Sequence, residues 1–485
     1  MKRKTPIEID KITFQKMGYE LIDKISEFLD TIDQKPVTTQ TSNQDIKKLI
    51  GQTSLPENGS SPNKLLALIT DVLMENSLLN GHPKFMGYIT SSAAPIGALA
   101  DLLAATINSN VGAQILSPVA TEIEKQTIQW LAEFIGVSPD YGGILVSGGN
   151  MANFTGFLAA RTSKAPKNIK EKGVSNSINQ LTVYCSETTH TWVEKAVILF
   201  GLGTDSIRWI PSDDKNKMNI NLLENTIVKD VKNGCTPMII IGTAGDVSTG
   251  AIDNLTEIAR VSRKYNTWFH IDGAYGVPAA VVPKYKELFN GIEDANSIAL
   301  DPHKWLYSPL EAGCTLVKNP QHLVDTFSSN PEYYNFSDSD HNFYEFGLQN
   351  SRGFRALKVW LALKQIGKNG YIQMINEDID LAKMLFNFSN AHQELEAISH
   401  NLSIATFRYV PQENLSLEYI NKLNEVLLND LQSGGELFVS NAIIKNKYCL
   451  RACIVNFRSS EKDIKEIIEI IVREGRKKHK SLKNI

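Results

Sequence analysis

The chain has 485 residues, of which 42% are hydrophobic and 21% charged, a composition that excludes disordered and fibrous proteins. It carries 50 Lys and Arg residues against 53 Asp and Glu residues, and this net charge of −3 supplies no field to attract a polyanion. We therefore expect no nucleic acid partner.

The N-terminus and the cysteines indicate a cytoplasmic protein. The N-terminus has the charges of a signal peptide but no apolar stretch behind them, and the best internal apolar run, 93–107, is too short for a membrane span and contains Asp101. The five cysteines form no C-x-x-C motif and mostly lie in apolar runs, as reduced, buried thiols do. We predict a cytoplasmic protein with no membrane partner.

The first predicted element is an amphipathic helix that begins near Phe14. Its apolar stripe recurs at three- and four-residue steps and consists of Leu21, Ile25, Phe28 and Ile32. The stripe packs either on its own domain or on a second subunit, and the spacing alone leaves both open. Loop-like segments follow at 36–44 and 51–63, so we place a boundary near residue 80.

From there to about residue 370, apolar strands alternate with helical patterns. The predicted strands are 144–147, 181–185, 238–242, 267–272 and 297–300. Such alternation is typical of a parallel sheet with crossover helices. After about residue 380 the pattern becomes strand 404–410, helix 417–431, strands 437–444 and 448–457, and a helix from Glu461, which predicts a small α+β domain.

Three features lie at the carboxyl ends of predicted strands, where open parallel sheets bind their ligands. The first is the segment Ser147-Gly148-Gly149-Asn150, directly before a helix. Two glycines let backbone N–H groups approach an anion at a helix N-terminus. A tight turn without any ligand remains the alternative.

The second and third features are a carboxylate and a lysine. Asp272 ends an apolar strand, where a buried carboxylate needs a cation or several hydrogen-bond donors; a helix cap is the alternative. Lys304 follows another apolar strand, and a desolvated lysine becomes the free amine that Schiff-base chemistry requires. A lysine that reaches from a loop into solvent is the alternative.

A phosphate cradle, a carboxylate for a pyridinium nitrogen and a nucleophilic lysine are together what pyridoxal 5′-phosphate needs. The segments Asp301-Pro-His-Lys304-Trp, His270-Ile-Asp272-Gly-Ala-Tyr and Ser117-Pro-Val-Ala-Thr-Glu122 resemble the group II pyridoxal-phosphate-dependent amino acid decarboxylases. Within that family the chain is most similar to the aromatic L-amino acid decarboxylases.

The resemblance implies an α/β chain with the type I PLP-dependent transferase (aspartate aminotransferase-like) fold. This fold has a mostly parallel sheet in a large domain and a small C-terminal α+β domain. We accordingly predict a helical arm at 1–80, a large cofactor-binding domain at 81–375 and a small domain at 376–485. The family's homodimers share active sites, which favours an arm that packs on the partner subunit.

The resemblance also implies the residues that contact the cofactor: Lys304, Asp272, Ala274, His303, Gly149, Asn150 and His190. Lys304 forms the internal aldimine, and Asp272 keeps the pyridine nitrogen protonated. His303, Gly149 and Asn150 contact the phosphate. Ala274 packs on the ring, and His190 stacks over its face.

The implied reaction is that of a carboxy-lyase in amino acid metabolism. An amino acid substrate displaces Lys304, carbon dioxide leaves to give a quinonoid carbanion, and Cα is then protonated. Tyr333 matches the family's proton donor, and together with Lys304 and His190 it completes the catalytic residues. Relatives that act as aldehyde synthases typically lack this tyrosine, so its presence favours plain decarboxylation to an amine.

The substrate pocket is predicted to contain Tyr88 and Ile89, with Val111 and Gly112 presented from the neighbouring subunit. No basic residue is evident for a distal carboxylate, which favours an aromatic substrate; an acidic or aliphatic side chain is the alternative. The segment Asp246-Val247 replaces two threonines common in the family, and Asp301 replaces an asparagine.

Other classes of enzyme remain open at this point. His270, Asp272, Asp301 and His303 are two pairs of possible metal ligands, as a metallohydrolase would need. That hypothesis gives Lys304 no role, so we predict no metal. A transaminase and an inactive scaffold are further alternatives, and the retention of Lys304, Asp272 and His190 disfavours the scaffold.

Overall fold

The computed structural model describes residues 5–51, 54–166, 169–174, 179–329 and 341–483. Its α-helices are α1 (Lys11–Thr31), α2 (Asn43–Ile50), α3 (Pro62–Asn76), α4 (Pro95–Ile107), α5 (Pro118–Ile135), α6 (Gly149–Lys164), α7 (Ile169–Lys172), α8 (Trp192–Leu199), α9 (Ile220–Lys232), α10 (Leu255–Tyr265), α11 (Gln321–Phe327), α12 (Ala356–Ala391), α13 (Leu417–Gly434) and α14 (Glu461–Lys483). Its β-strands are β1 (Gly142–Val146), β2 (Leu181–Ser186), β3 (Ile207–Ile210), β4 (Thr236–Thr243), β5 (Trp268–Asp272), β6 (Ser297–Leu300), β7 (Gly313–Val317), β8 (Leu395–Asn401), β9 (Ile404–Tyr409), β10 (Ser440–Ile444) and β11 (Lys447–Cys453).

A seven-stranded sheet with the order β1-β7-β6-β5-β4-β2-β3 forms the centre of the molecule. Its strands β3, β2, β4, β5 and β6 pair in parallel, whereas β7 is antiparallel to both of its neighbours. The central strands β2, β5 and β6 are buried along their whole length, as expected of a sheet covered by helices. This mostly parallel sheet confirms the predicted α/β fold class.

The strand directions bring the three predicted features to one edge of this sheet. Two antiparallel steps, from β6 to β7 and from β7 to β1, make β1 run in the same direction as β5 and β6. The carboxyl ends of these three strands therefore lie at the same edge. Gly148, Asp272 and Asp301, which follow or end these strands, become neighbours there.

A second, four-stranded antiparallel sheet has the order β10-β11-β9-β8 and its own hydrophobic core. An N-terminal segment joins it, because Met86 N–H donates to Phe438 O at 2.8 Å and Cys453 N–H donates to Met86 O at 2.9 Å. The small sheet confirms the predicted C-terminal α+β architecture, and the link through Met86 holds it against the residues that enter the large sheet.

Helix α12 connects the two sheets and passes through residue 375 without a break. It packs on α4 and α5 at one end and on β8, β9 and α14 at the other, with a kink at Gly367, where φ is +65°. The division of the chain at residues 80 and 375 stays a prediction, since no change of element marks the second boundary.

Helix α1 confirms the predicted amphipathic helix and is capped by Asp10, whose side chain accepts from Ile12 N–H and Thr13 N–H. Only Met17 of its 21 residues is buried in the single chain. Within the described residues, α1 packs mainly on α3, with Leu21, Ile25 and Phe28 half-buried, and it leaves Ile12, Phe14, Tyr19 and Ile22 exposed. Separately, no helix in the described part of the chain is long and apolar enough to span a membrane.

Candidate active site

A cavity of about 250 Å³ opens at the carboxyl edge of the large sheet. Eight of the residues predicted from the sequence line it: Tyr88, Ile89, Gly149, Asn150, His190, Asp272, Ala274 and Lys304. Among its other lining residues are Asn153, Trp192, Val247 and Arg451. Tyr333 lies outside the described residues.

Lys304 lies in a turn directly after β6. Its N–H donates to Asp301 O at 2.9 Å, and its own carbonyl accepts from Tyr307 N–H at 3.2 Å. The side chain is 21% exposed, and Nζ lies 3.0 Å from Oδ2 of Asp301. The turn therefore presents an amine at the cavity beside a buried carboxylate.

Two aromatic residues anchor this turn to α12. Trp305 Nε1 donates to Oδ2 of Asp378 at 2.8 Å, and the Tyr307 hydroxyl donates to the same oxygen. Trp305 also stacks on Tyr275, with ring centroids 4.9 Å apart. Burial raises the pKa of Asp378 to about 7. The backbone on the C-terminal side of Lys304 is thus fixed by packing and by two hydrogen bonds.

Asp272 is buried and oriented by donors on neighbouring elements. Trp192 Nε1 donates to its Oδ2 at 2.7 Å, and Ala274 N–H donates to its Oδ1 at 3.3 Å. Asn153 Nδ2 donates to Oδ1 at 3.4 Å. These contacts supply the donors that a buried carboxylate needs and fix its direction toward the cavity. Trp192 and Asn153 were not assigned this function from the sequence.

His270 supports the Asp272 carboxylate through Asn153 and is not part of a metal site. Its Nδ1 pairs with Ser297 Oγ at 2.7 Å and its Nε2 with Asn153 Oδ1 at 2.7 Å, and burial lowers its pKa. In the described ranges, no cluster of three or more His, Cys, Asp or Glu side chains could hold a metal ion. Because both nitrogens of His270 have partners, the metallohydrolase alternative is not supported.

The segment Ser147–Asn150 forms the predicted turn at the N-terminus of α6. Gly148 has φ +94°, a conformation that favours glycine, and a Cβ on Gly149 would lie only 2.5 Å from Oδ2 of Asp301. His303 borders this turn, since a Cβ on Gly148 would lie 3.4 Å from its Cε1. The turn therefore packs glycine backbone closely against Asp301 and His303 at the positive end of a helix.

His303 and His190 have different surroundings. His303 Nδ1 lies 2.7 Å from Ala312 O, its Nε2 lies 3.8 Å from Oδ2 of Asp301, and burial lowers its pKa. His190 is exposed at the cavity, its Nδ1 accepts from Trp192 N–H at 3.3 Å, and its partial burial lowers its pKa. Both imidazoles are therefore biased toward the neutral form.

Arg451, on β11, is a cavity residue that the sequence analysis missed. It is 4% exposed, its Nη2 donates to Tyr88 O at 2.5 Å, and its Nε is buried without a hydrogen-bond partner. A charged residue inside the apolar run Cys449–Cys453 was the available signal, because a buried arginine needs an anionic or polar partner. The cavity thus contains a cation contributed by the small sheet.

Val111 and Gly112 do not line the cavity of their own chain. Val111 is fully buried in the main core, with its N–H donating to Arg352 O at 2.9 Å. A Cβ on Gly112 would lie 2.2 Å from Asn350 O, so a side chain would not fit there. Their contribution to a neighbouring subunit's pocket stays a prediction that needs a second chain.

Asp246, which the sequence analysis left unexplained, organises its own loop. Its carboxylate accepts from the N–H groups of Ser248, Thr249 and Ala251 and from the Thr249 hydroxyl. Burial raises its pKa, although these hydrogen bonds oppose the shift. Asp246 therefore shapes the turn that places Val247 at the cavity wall.

The donor set fits pyridoxal phosphate. Lys304 supplies an amine and Asp272 an oriented carboxylate, and Gly149 and Asn150 at the N-terminus of α6 line the same cavity. Among the described groups at these strand ends, Asp301 is the one that forms an ion pair with the Lys304 amine. Fold and site together define a pyridoxal-phosphate enzyme with the type I fold.

Comparison with known proteins identifies the family. Residues 44–410 match the pyridoxal-dependent decarboxylase conserved domain. The chain is 33% identical to an aromatic-L-amino-acid decarboxylase of Bacillus atrophaeus, over 95% of each chain, and 28% identical to a phenylacetaldehyde synthase of a Rosa hybrid cultivar, over 96% of this chain and 94% of the relative. The chain therefore belongs to the pyridoxal-dependent decarboxylase family, and the predicted resemblance and cofactor are confirmed.

Solved structures show the same fold over the whole chain. Oryza sativa TDC with PLP and tryptamine superposes with a TM-score of 0.91 at 22% identity, covering 98% of this chain and 99% of that one. Catharanthus roseus tryptophan decarboxylase in complex with L-tryptophan gives a TM-score of 0.87 at 24% identity, covering 98% of this chain and all of that one. These matches confirm the predicted type I fold.

Proposed function

We propose that this decarboxylase converts an aromatic L-amino acid to its amine and carbon dioxide. The observation that carries the substrate assignment is the charge inventory of the cavity, whose described cationic side chains are Lys304 and Arg451. Lys304 is engaged with the cofactor, so Arg451 is left for the substrate's α-carboxylate. No described cation then remains for an acidic side chain, whereas Tyr88, Ile89 and Val247 offer an apolar wall.

The names of the relatives support the same substrate class. Those that match along nearly their full length include an aromatic-L-amino-acid decarboxylase and two tyrosine decarboxylases of Petroselinum crispum. Acidic and aliphatic substrates remain the second candidates, to be separated by the substrate screen below.

The proposed cofactor contacts follow the geometry of the strand ends. Gly149, Asn150 and His303 bind the phosphate at the positive N-terminus of α6. Asp272, held by Trp192, keeps a proton on the ring nitrogen. Ala274 leaves room for the ring, and His190 covers its exposed face.

When bound, pyridoxal phosphate supplies a conjugated ring that accepts the electron pair released as the carboxylate leaves. The chain contributes the rest of the chemistry. Arg451 orients the carboxylate so that the bond to Cα can break, and the apolar wall excludes water from the cavity. Tyr333, outside the described residues, is the proposed donor of the proton to Cα, which yields an amine instead of an aldehyde.

We further propose that the enzyme is a homodimer with shared active sites. Large apolar side chains are exposed along α1, α3 and α4, including Phe14, Leu68, Leu73, Leu99 and Leu102. Ile115, Leu116 and Val119, just after the Val111-Gly112 segment, are exposed as well. Contiguous exposed apolar surface marks an interaction site, and a second copy of the chain brings the same helices against it.

A cytoplasmic location is supported by the cysteines. All five are unpaired, and Cys185, Cys314, Cys449 and Cys453 are buried. Thiols kept reduced in this way are typical of a reducing compartment.

The proposed function is tested with the purified enzyme and single L-amino acids. Carbon dioxide release with L-tryptophan, L-tyrosine or L-phenylalanine, and none with L-glutamate, is the expected result. Borohydride should trap the cofactor on Lys304 in a peptide digest, and Lys304→Ala, with Lys318→Ala as the matched control, should abolish trapping. Carbon dioxide release with L-glutamate alone would overturn the substrate assignment. Trapping of the cofactor on another residue would overturn the assignment of Lys304.

A further inference from the structure

Asp301 places a negative charge where the proposed site receives the cofactor's phosphate. Its carboxylate is 1% exposed and lies against Gly149, the first residue of α6. Neither of its oxygens has a partner in hydrogen-bonding geometry, although Oδ2 lies 3.0 Å from Nζ of Lys304. The inference below rests on the proposed cofactor contacts of Gly149 and His303.

The charged and titratable groups around Asp301 do not neutralise both its own carboxylate and the cofactor's phosphate. The turn after β6 contributes Lys304 and His303, the loop before α8 contributes His190, and β7 contributes the Cys314 thiol. Lys304 is the one cation among these described groups that is not a histidine. If the glycine turn holds a phosphate dianion, the buried Asp301 carboxylate would lie near it, and Lys304 would be the one fixed positive charge in contact with that carboxylate.

His303 is the second group able to relieve this repulsion. Burial lowers its pKa, which favours a neutral ring in the cofactor-free chain. Its Nδ1 lies 2.7 Å from Ala312 O and 3.3 Å from Ala312 N, and its Nε2 lies 3.8 Å from Oδ2 of Asp301, so in either neutral tautomer the Asp301–His303 pair can bind one further proton. One proton bound by Asp301 or by His303 lowers the net negative charge at this face by one.

We propose that Asp301 is a positioning residue that makes cofactor binding proton-linked: entry of the phosphate is accompanied by uptake of one proton from solvent at the Asp301–His303 pair. In the cofactor-free chain the carboxylate holds the Lys304 side chain at the cavity. No bond forms or breaks in this step. Because the loaded site binds the extra proton, cofactor affinity falls as pH rises.

The test uses the cofactor-free enzyme and pyridoxine 5′-phosphate, whose alcohol cannot condense with Lys304. Calorimetry at pH 8 in two buffers of different ionisation enthalpy counts the protons taken up on binding. The ring nitrogen also takes up a proton in this ligand, and it does so equally in wild type and Asp301→Asn. We expect the variant to take up about one proton fewer and to bind at least about tenfold more tightly at pH 8.5. Equal proton counts in the two proteins would overturn the proposal.

A second measurement needs no variant. Pyridoxine lacks the phosphate but has the same ring. Protonation of the ring nitrogen therefore affects the dissociation constants of both ligands equally and cancels in their ratio. Between pH 7 and 9, above the phosphate's second pKa of about 6, the preference for the phosphorylated ligand should fall by up to about tenfold per pH unit. A constant ratio would overturn proton linkage while leaving the proposed function intact. Failure of pyridoxine 5′-phosphate to bind at all would overturn both.

Discussion

The indole nitrogen of Trp192 donates a hydrogen bond of 2.7 Å to Oδ2 of Asp272 and so fixes the direction of the carboxylate proposed to hold the ring nitrogen's proton. Trp192 begins α8, whereas Asp272 ends β5, so two separate segments build one functional group. The geometry of this carboxylate therefore depends on a residue that itself makes no proposed contact with substrate.

Trp192→Phe should lower kcat about tenfold, because a lost buried hydrogen bond costs on the order of 1–3 kcal/mol. Trp360→Phe is the matched control, since Trp360 Nε1 donates to Gln126 Oε1 at 2.7 Å and has no part in the hydrogen bonds around the carboxylate. Steady-state kinetics and the cofactor's absorbance spectrum measure the effect. Equal losses of kcat in both variants would contradict the proposal that the hydrogen bond from Trp192 orients Asp272.

Arg451→Met should raise KM for the amino acid at least about tenfold, because the substrate's carboxylate loses its cation. Inhibition by the amine product, which has no carboxylate, should change less than about twofold. Arg408→Met is the control: Arg408 is equally buried on the adjacent strand β9 but pairs with Glu396. A parallel loss of affinity for amine and amino acid would contradict the assigned contact.

Tyr333→Phe should decrease amine and increase aldehyde, because the carbanion loses its proton donor and is intercepted by oxygen. Tyr334→Phe, the neighbouring phenol, is the matched control and should leave the product ratio unchanged. Chromatography of the products, with hydrogen peroxide measured in parallel, gives the ratio. An unchanged amine yield from Tyr333→Phe would contradict the assignment of Tyr333 as the proton donor.

Asp378 should make the unfolding free energy pH-dependent. Its pKa is raised by burial to about 7, whereas an unfolded aspartate titrates near about 3.9. The folded chain therefore binds more protons than the unfolded chain between these values, and the contribution of Asp378 to stability falls as pH rises from about 4 to about 7 and is constant above.

The full change should be about 4 kcal/mol, the difference in pKa expressed as free energy, and about 3 kcal/mol of it falls between pH 5 and pH 8. Urea denaturation of wild type and Asp378→Asn at pH 5 and pH 8 separates the contribution of Asp378 to the free energy of unfolding from the rest, because all other titrating groups are common to both proteins. The stability of wild type relative to the variant should decrease at pH 8. A difference that is independent of pH would show that Asp378 titrates normally.

Leu102→Arg should convert the proposed homodimer to a monomer with low activity, because the substitution places a charge in an apolar interface. Leu102 is 55% exposed in the single chain, so the variant should still fold. Val231→Arg on α9, 50% exposed, is the control and should remain dimeric. Sedimentation velocity distinguishes the species, and a dimeric Leu102→Arg would place the interface elsewhere.

Most of the elements around the site were predictable because their signals are local. The strand 297–300 was predicted with its observed bounds, and β5 within one residue, since short apolar runs beside turn residues specify buried strands. Strands β3, β7 and β8 were not predicted. β7 is the antiparallel member of the large sheet, and its pairing depends on residues more than 100 positions away on β1.

By itself the sequence determined the chemistry of this protein: a lysine after one strand, an aspartate at the end of another, and a glycine turn before a helix, each specified by adjacent residues. Tertiary structure alone decided what surrounds that chemistry. Arg451 reaches the cavity from the small sheet, Trp192 from a separate helix, and Asp301 lies against Gly149, because packing brings together residues that share no local pattern. Charge balance and orientation in the site are properties of these long-range contacts.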